Sequence, residues 1–217
     1  CAKLFQIYGE LTNIDFTNFN TANVVYMNEM FSGSYALGTL DLSGFNTEKV
    51  QYMQSMFDGC SALTSITFGT NWNTSAVTNM SNMFWGCSVL TNLDLSKFNT
   101  SNVTNMNGMF TYCGDVLTSL DLSSFNTSKV TDMGSMFQNC NYLSSITFGA
   151  NWDVSKVTNM SNMFQSTGFT SLDLSSWNTA SVTDLSRMFL GCSSLSSITF
   201  GANWDTSKVT LVDDMFF

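Results

Sequence analysis

The chain has 217 residues and a formal net charge of −9, with 44% hydrophobic residues, 11% charged residues, no proline and no histidine. Its seven lysines and arginines are dispersed, so it lacks the clustered cations with which proteins bind nucleic acids or anionic lipids. No apolar run approaches the roughly 20 residues of a membrane span, and the absence of histidine excludes Ser–His and Cys–His nucleophilic pairs.

A valine recurs along the whole chain at intervals of 25 to 27 residues. Its copies are Val24, Val50, Val77, Val103, Val130, Val157, Val182 and Val209. A fixed period in this range is typical of a solenoid, in which each rung buries its apolar side against its neighbours. The sequence therefore predicts a single solenoid domain over residues 1–217.

Each rung begins with a short apolar alternation, which Leu120, Asp121 and Leu122 exemplify. Apolar residues at every second position are typical of a half-buried β-strand. In three rungs this segment reads ITFG(T/A)NW and carries one extra residue. Because glycine tolerates positive φ, a kink is predicted at the glycines that absorb this residue, which are Gly69, Gly149 and Gly201.

After the valine, the spacing of apolar residues changes to i, i+3, i+6, i+7 and i+10. One rung shows this at Val130, Met133, Met136, Phe137 and Cys140. Such a stripe predicts a short helix, with Thr127 or Ser128 as its N-cap. The expected fold is thus a right-handed α/β solenoid of about eight rungs, with a parallel β-sheet on one face and short helices on the other.

Five of the six cysteines share one repeat position. They are Cys60, Cys87, Cys113, Cys140 and Cys192. Disulfides between rungs, a metal ladder and buried free thiols are the alternatives. The odd number in the column and the absence of CxxC pairs and histidines favour free thiols. The methionines lie on the apolar stripe, so they are interpreted as core residues, with copper binding as the alternative.

The strands carry an outward row of carboxylates and hydroxyls, which is the predicted ligand-facing surface. This strand row comprises Asp15, Asp41, Thr67, Asp94, Asp121, Thr147, Asp173 and Thr199. Where two aspartates are neighbours, calcium could relieve their repulsion. The alternative is that the carboxylates stay hydrated and accept hydrogen bonds from nearby Ser and Thr.

Paired carboxylates also serve glycosidases, but a repeated flat face does not give the two groups the unequal environments that this chemistry needs. The sequence therefore assigns no catalytic, cofactor-binding or metal-binding residue. Trp85, Tyr52 and Tyr112 are secondary candidate contact points outside the strand row.

The motif LxxLDLSxFN resembles the strand segment of leucine-rich repeats, and VTxMxxMFxxCxxL resembles the BspA-like leucine-rich repeats of bacterial surface proteins. The bacterial surface protein repeat of about 26 residues, FNTSxVTxMxxMFxxCxxLTSLDLS, is closer still. The resemblance covers Leu4 to Phe217 and implies a leucine-rich-repeat-like solenoid. Thr167 in place of Cys, Leu185 and Val212 in place of Met, and the ITFG rungs depart from the pattern.

This resemblance implies a secreted or surface-attached, non-enzymatic scaffold that mediates adhesion to an extracellular protein or glycan, and it transfers no functional residue. A structural subunit that self-associates end to end into a filament, sheath or surface layer is the alternative function. Because solenoids need polar caps and neither end of the sequence resembles one, we expect the chain to be a fragment of a longer array.

Overall fold

The computed structural model describes residues 1–216, and Phe217 lies outside the described residues. The chain forms stacked rungs with six short strands, which pair in parallel as β1–β2, β3–β4 and β5–β6. The strands are β1 (Thr39–Leu42), β2 (Ser65–Phe68), β3 (Ser119–Leu122), β4 (Ser145–Phe148), β5 (Ser171–Leu174) and β6 (Ser197–Phe200). The predictions of a solenoid and of parallel strands are therefore confirmed.

Two details of the predicted sheet are wrong. About eight rungs were predicted, but the described residues contain only six strands. The strands form three separate two-stranded sheets, not one continuous face. Elsewhere the rungs are joined by a ladder of isolated parallel bridges, which runs from Tyr26 to Leu211.

The predicted helices are also wrong, because residues 1–216 contain no helix. In the segment after Val50, the amides of Ser55 and Phe57 donate to carbonyl oxygens of the next rung at 2.8 and 2.9 Å. Ser55 and Gly59 have φ of 53° and 72°, which a right-handed helix does not accommodate. The segment is a run of turns, and its apolar stripe arises because one side of those turns faces the core. Consequently, no helix in the described part of the chain is long and apolar enough to cross a membrane.

The core consists of columns of equivalent side chains, and it includes the methionines, as predicted. All methionines except Met215 are buried. From Phe31 to Phe164, phenylalanine rings of successive rungs stack at centroid distances of 5.4–5.8 Å with interplanar angles of 2–12°. Because the core side chains of each rung contact those of the neighbouring rungs, the rungs stabilise one another.

Glycine is required at the predicted kinks, but the reason is not the predicted tolerance of positive φ. Gly69 has no positive φ, but a Cβ built on it would overlap the carbonyl oxygen of Ser43 in the preceding rung. Gly149 and Gly201 approach Ser123 and Ser175 in the same way. The variant rungs need glycine because two backbones come into close contact there.

The predicted N-cap role of Thr127 and Ser128 is wrong as well, since there is no helix to cap. Thr127 is fully buried and its hydroxyl bonds to the backbone of Asp153 in the next rung. The amide and hydroxyl of Ser128 donate to the Asn126 side chain. Both residues therefore stabilise rung stacking and turn geometry.

Candidate functional site

The strand row faces solvent along its whole length, since all eight of its residues are exposed. Within the sheets, each aspartate lies opposite a threonine. The pairs are Asp41 with Thr67, Asp121 with Thr147, and Asp173 with Thr199. The strands thus present alternating carboxylate and hydroxyl groups on their outer face.

Strands do not form where two aspartates are neighbours. Residues 13–16 and 92–95, which carry Asp15 and Asp94, lie outside the strands although the next rung carries Asp41 or Asp121. Like charges directly opposite each other at an interstrand spacing of about 4.8 Å are destabilising. Threonine removes that repulsion, and the alternation of Asp and Thr was already visible in the sequence.

The rungs that follow Thr67 and Thr147 also lack pairing to the preceding strand. There the charge argument does not apply, because the neighbours are threonine and aspartate. These two places coincide with the extra residue of the ITFG rungs, next to Gly69 and Gly149. Charge repulsion therefore accounts for the two interruptions at the Asp–Asp neighbours. The other two interruptions, after the rungs of Thr67 and Thr147, coincide with the inserted residue.

A groove opens at each Asp–Asp junction. The first has a volume of about 800 Å³ and is lined by Asp15, Asp41 and several asparagines, with Phe16 and Phe19 among its apolar walls. The second measures about 410 Å³. It is lined by Asn92, Leu93, Asp94, Leu95, Ser96, Asp121, Ser123 and Ser124. Carboxylate, amide and hydroxyl groups in these grooves are suited to hydrogen-bonding the hydroxyls or amides of a polar ligand.

Each carboxylate of the strand row is held by the residue two positions later. The backbone amides of Ser43, Ser96, Ser123 and Ser175 donate to Asp41, Asp94, Asp121 and Asp173 at 2.9 Å, and the Thr17 amide donates to Asp15 at 2.8 Å. Side-chain hydrogen bonds and then backbone hydrogen bonds from these same residues lower the pKa of all five carboxyl groups. The aspartates are therefore ionised at neutral pH and fixed in orientation.

The cysteines of the repeat column are free thiols, as predicted. Four of them are buried, whereas Cys192 is only partly buried, so the predicted burial is wrong for that residue. The Cys113 thiol donates to the Phe84 carbonyl at 2.8 Å, and the Ser34 hydroxyl makes the equivalent bond to Phe5 at 2.7 Å. The column thus places weak donors against carbonyl oxygens of the preceding rung.

Burial raises the pKa of Cys60 and Cys140 to about 12 and raises the pKa of Cys87 and Cys113 well above its usual value. These thiols are protonated at neutral pH. Within residues 1–216, no group of three His, Cys, Asp or Glu side chains could hold a metal ion.

Comparison with known proteins supports the repeat assignment. The sequence matches the family described as "Mycoplasma protein of unknown function, DUF285" over residues 2–67, 64–149 and 147–217. Among solved structures, a leucine-rich repeat protein from Bacteroides ovatus is similar at 17% identity, over 92% of this chain and 69% of that chain, with a TM-score of 0.26. A likeness at this TM-score carries no argument about fold or function. Among curated proteins, none matches the chain.

Proposed function

The chain belongs to the family described as Mycoplasma protein of unknown function, DUF285, and from this premise we propose that it is a non-enzymatic repeat scaffold. The membership confirms the family resemblance drawn from the repeat motifs. We place the scaffold at the cell surface or outside the cell, where it mediates adhesion by binding a protein or a glycan.

The observation that carries the proposal is the strand row with its two grooves. The row repeats the same small polar groups on successive rungs, and the carboxylates are held in one orientation before any ligand arrives. Preorganised groups lose little conformational entropy on binding. The row is thus suited to a ligand that offers hydrogen-bond donors at many points.

Each rung contributes little to such an interface by itself. Its outward side chains, such as Ser119 and Asp121, lack the Trp, Tyr or Arg anchors that dominate tight interfaces. Repetition compensates, because several linked weak contacts raise the overall affinity by orders of magnitude when the ligand is also repetitive. A surface polysaccharide or a fibrous matrix protein has this property.

The proposal is tested by comparing polymeric and monomeric ligands on the full chain. Immobilised neutral polysaccharides and fibrous matrix proteins are the probes, with short fragments of each as competitors. We expect retention on at least one polymer and competition by its short fragments only at far higher molar concentration. Equal competition by fragment and polymer would contradict a multivalent row, and so would an absence of retention on every polymer.

A further inference from the structure

A second exposed surface lies outside the strand row. The aromatic patch, which we define as Trp85, Tyr112, Val116 and Tyr142, exposes these side chains to 38%, 48%, 42% and 61%. Its residues occupy three successive rungs in the middle of the chain. Exposed apolar side chains scattered singly need no explanation, but a group of neighbours marks a candidate interface.

Hydrogen bonds and ring contacts show that these residues are neighbours. The Trp85 and Tyr112 rings meet edge to face, with centroids 5.4 Å apart and an interplanar angle of 72°. The Tyr142 amide donates to the Gly114 carbonyl at 3.3 Å, which places it beside the segment that carries Tyr112 and Val116. The segments that carry the patch are therefore in contact across the three rungs.

The patch departs from the repeat at the position of Trp85. In the sequence, the equivalent position holds Gln6, Ser32, Asp58, Thr111, Gln138, Gln165, Leu190 and Phe217 in the other rungs. Most other rungs thus have a polar residue at the position of Trp85, which is the most exposed tryptophan of the chain. Stacking of the rungs does not require an aromatic side chain at this position.

Tyr112 carries a conformational cost. Its φ is 58°, in the left-handed region, where the equivalent residues are Ile7, Gly33, Gly59, Gly86, Asn139, Ser166 and Gly191. A bulky side chain in this region is an outlier and strains the backbone. A strained residue that leaves about half of its own surface in solvent gains little from packing, so its benefit is expected from a partner.

The charged side chains of the turn segments that carry the patch, and of the segment before them, are all acidic. The turn segments 52–63, 79–90, 105–117 and 132–143 contain Asp58, Asp115 and Asp132 and no lysine or arginine. Asp58 occupies the position of Trp85 in the preceding rung, and the Gly59 amide donates to the Trp85 carbonyl at 2.8 Å. These two residues thus hold equivalent positions on neighbouring rungs. An exposed aromatic face with acidic residues on the adjacent turn segments is a setting in which a cationic side chain binds, through the aromatic face and the countercharge together.

We propose that the aromatic patch binds a basic segment of another protein, with an arginine or lysine side chain lying against Trp85 and with Asp58 and Asp115 as countercharges. This interaction goes beyond the strand row and shares no residue with it. Failure of either proposal therefore leaves the other standing.

Two variants of the full chain test the patch without changing its charge. Trp85→Thr introduces the residue type of Thr111, which holds the same position in the next rung. Tyr112→Asn likewise introduces the residue type of Asn139. Ser166→Asn is the control, because it changes the same backbone position outside the patch. The probe is a fluorescent peptide of alternating arginine and glycine, compared with the same peptide containing glutamate in place of arginine.

We expect the arginine peptide to bind the unaltered chain and the glutamate peptide not to bind. Trp85→Thr and Tyr112→Asn should each weaken binding by roughly 3- to 30-fold, the range expected for a lost cation–π contact. Tyr112→Asn should leave Tm unchanged or raise it by up to roughly 4 °C, because the left-handed strain is relieved. Ser166→Asn should retain full binding.

Iodide quenching gives an independent readout, since Trp85 is more exposed than the other tryptophans. The bound arginine peptide should protect the quenchable fluorescence of the unaltered chain, and Trp85→Thr should lose that protectable signal. Unchanged peptide affinity in both patch variants would overturn the proposal. A Tyr112→Asn variant that is less stable would also overturn it, because Tyr112 would then be retained for packing.

Discussion

The hydroxyl of Thr127 donates to the carbonyl oxygen of Asp153 at 2.8 Å and accepts the backbone amide of the same residue at 2.6 Å. One buried side chain thus satisfies both backbone groups of a residue in the next rung. The same arrangement recurs at Thr21, Thr47, Thr74, Thr100 and Thr179. The threonine of the FNT or WNT motif therefore holds consecutive rungs together as a clamp.

Thr127→Val should lower the free energy of unfolding by about 1–3 kcal/mol, because it leaves buried backbone groups without partners while the side-chain shape is kept. Val154 occupies the same repeat position without a hydroxyl. Val154→Thr should therefore stabilise the chain, by about 0.5–1 kcal/mol. Denaturant unfolding of both variants measures the two effects, and equal destabilisation by both would contradict the clamp.

Gly69→Ala should destabilise the chain by about 1–3 kcal/mol or more, because the added methyl group meets the Ser43 carbonyl oxygen. Gly44 is the matched control, since nothing lies within 4 Å of a Cβ built there. Gly44→Ala should be neutral or stabilising by about 0.4–1 kcal/mol. Calorimetric melting of both variants decides the matter, and a Gly69→Ala variant that melts like Gly44→Ala would refute the close backbone approach.

The buried thiols predict a loss of stability at high pH. Burial raises the pKa of Cys60 and Cys140 from 9.0 to about 12, so the unfolded chain ionises first as pH rises. Their stabilising contribution is complete below about pH 9 and is lost as pH rises toward about 12. Unfolding midpoints measured between pH 8 and pH 11 should fall more for the unaltered chain than for Cys140→Ser.

Alkylation at neutral pH measures the same burial directly. Cys1 is exposed and should react at once, whereas Cys60, Cys87, Cys113 and Cys140 should react only after unfolding. Rapid modification of all six cysteines in the folded chain would contradict this account. Mass spectrometry without reductant should find no crosslink between rungs.

Asp94→Asn should extend the sheet at the second Asp–Asp junction. The substitution removes one of two like charges and keeps a side-chain oxygen that can accept the Ser96 amide. Backbone amides of residues 92–95 should then exchange more slowly with solvent. Asp205→Asn is the control, because Asp205 makes the equivalent bond to Ser207 outside the strand row. If the amides of residues 92–95 exchanged at the same rate in Asp94→Asn and Asp205→Asn, charge repulsion would not be what interrupts the sheet.

The sequence was sufficient to predict what depends on burial. The repeat period, the core columns and the outward aspartates all follow from which side chains avoid water. The helix prediction was wrong because an apolar stripe such as Met133, Met136 and Phe137 indicates only which side chains face the core. Residues in the left-handed backbone conformation, such as Ser135 at φ 55°, interrupt any helix, so the segment that carries the stripe forms turns. Nothing in a serine side chain signals this conformation, since it is set by hydrogen bonds to the neighbouring rung.

The grooves were missed for a different reason. The alternation of Asp and Thr along the strand row was readable, but its effect on strand pairing depends on which rungs are neighbours and how closely they approach. Similarly, the strain at Tyr112 is a property of the backbone that the residue type does not reveal. Both features depend on comparing rungs in space.

The most direct test of the central claim measures binding of the full chain to a polymeric ligand as carboxylates of the strand row are removed one by one. Asp41, Asp94, Asp121 and Asp173 are each changed to Asn, singly and cumulatively, with Asp205→Asn as the control for net charge. A multivalent row predicts that affinity falls by a further factor with each substitution, while the control binds like the unaltered chain. Affinity that is insensitive to all four substitutions, or that falls equally in the control, would contradict the claim that this row is the ligand-binding surface.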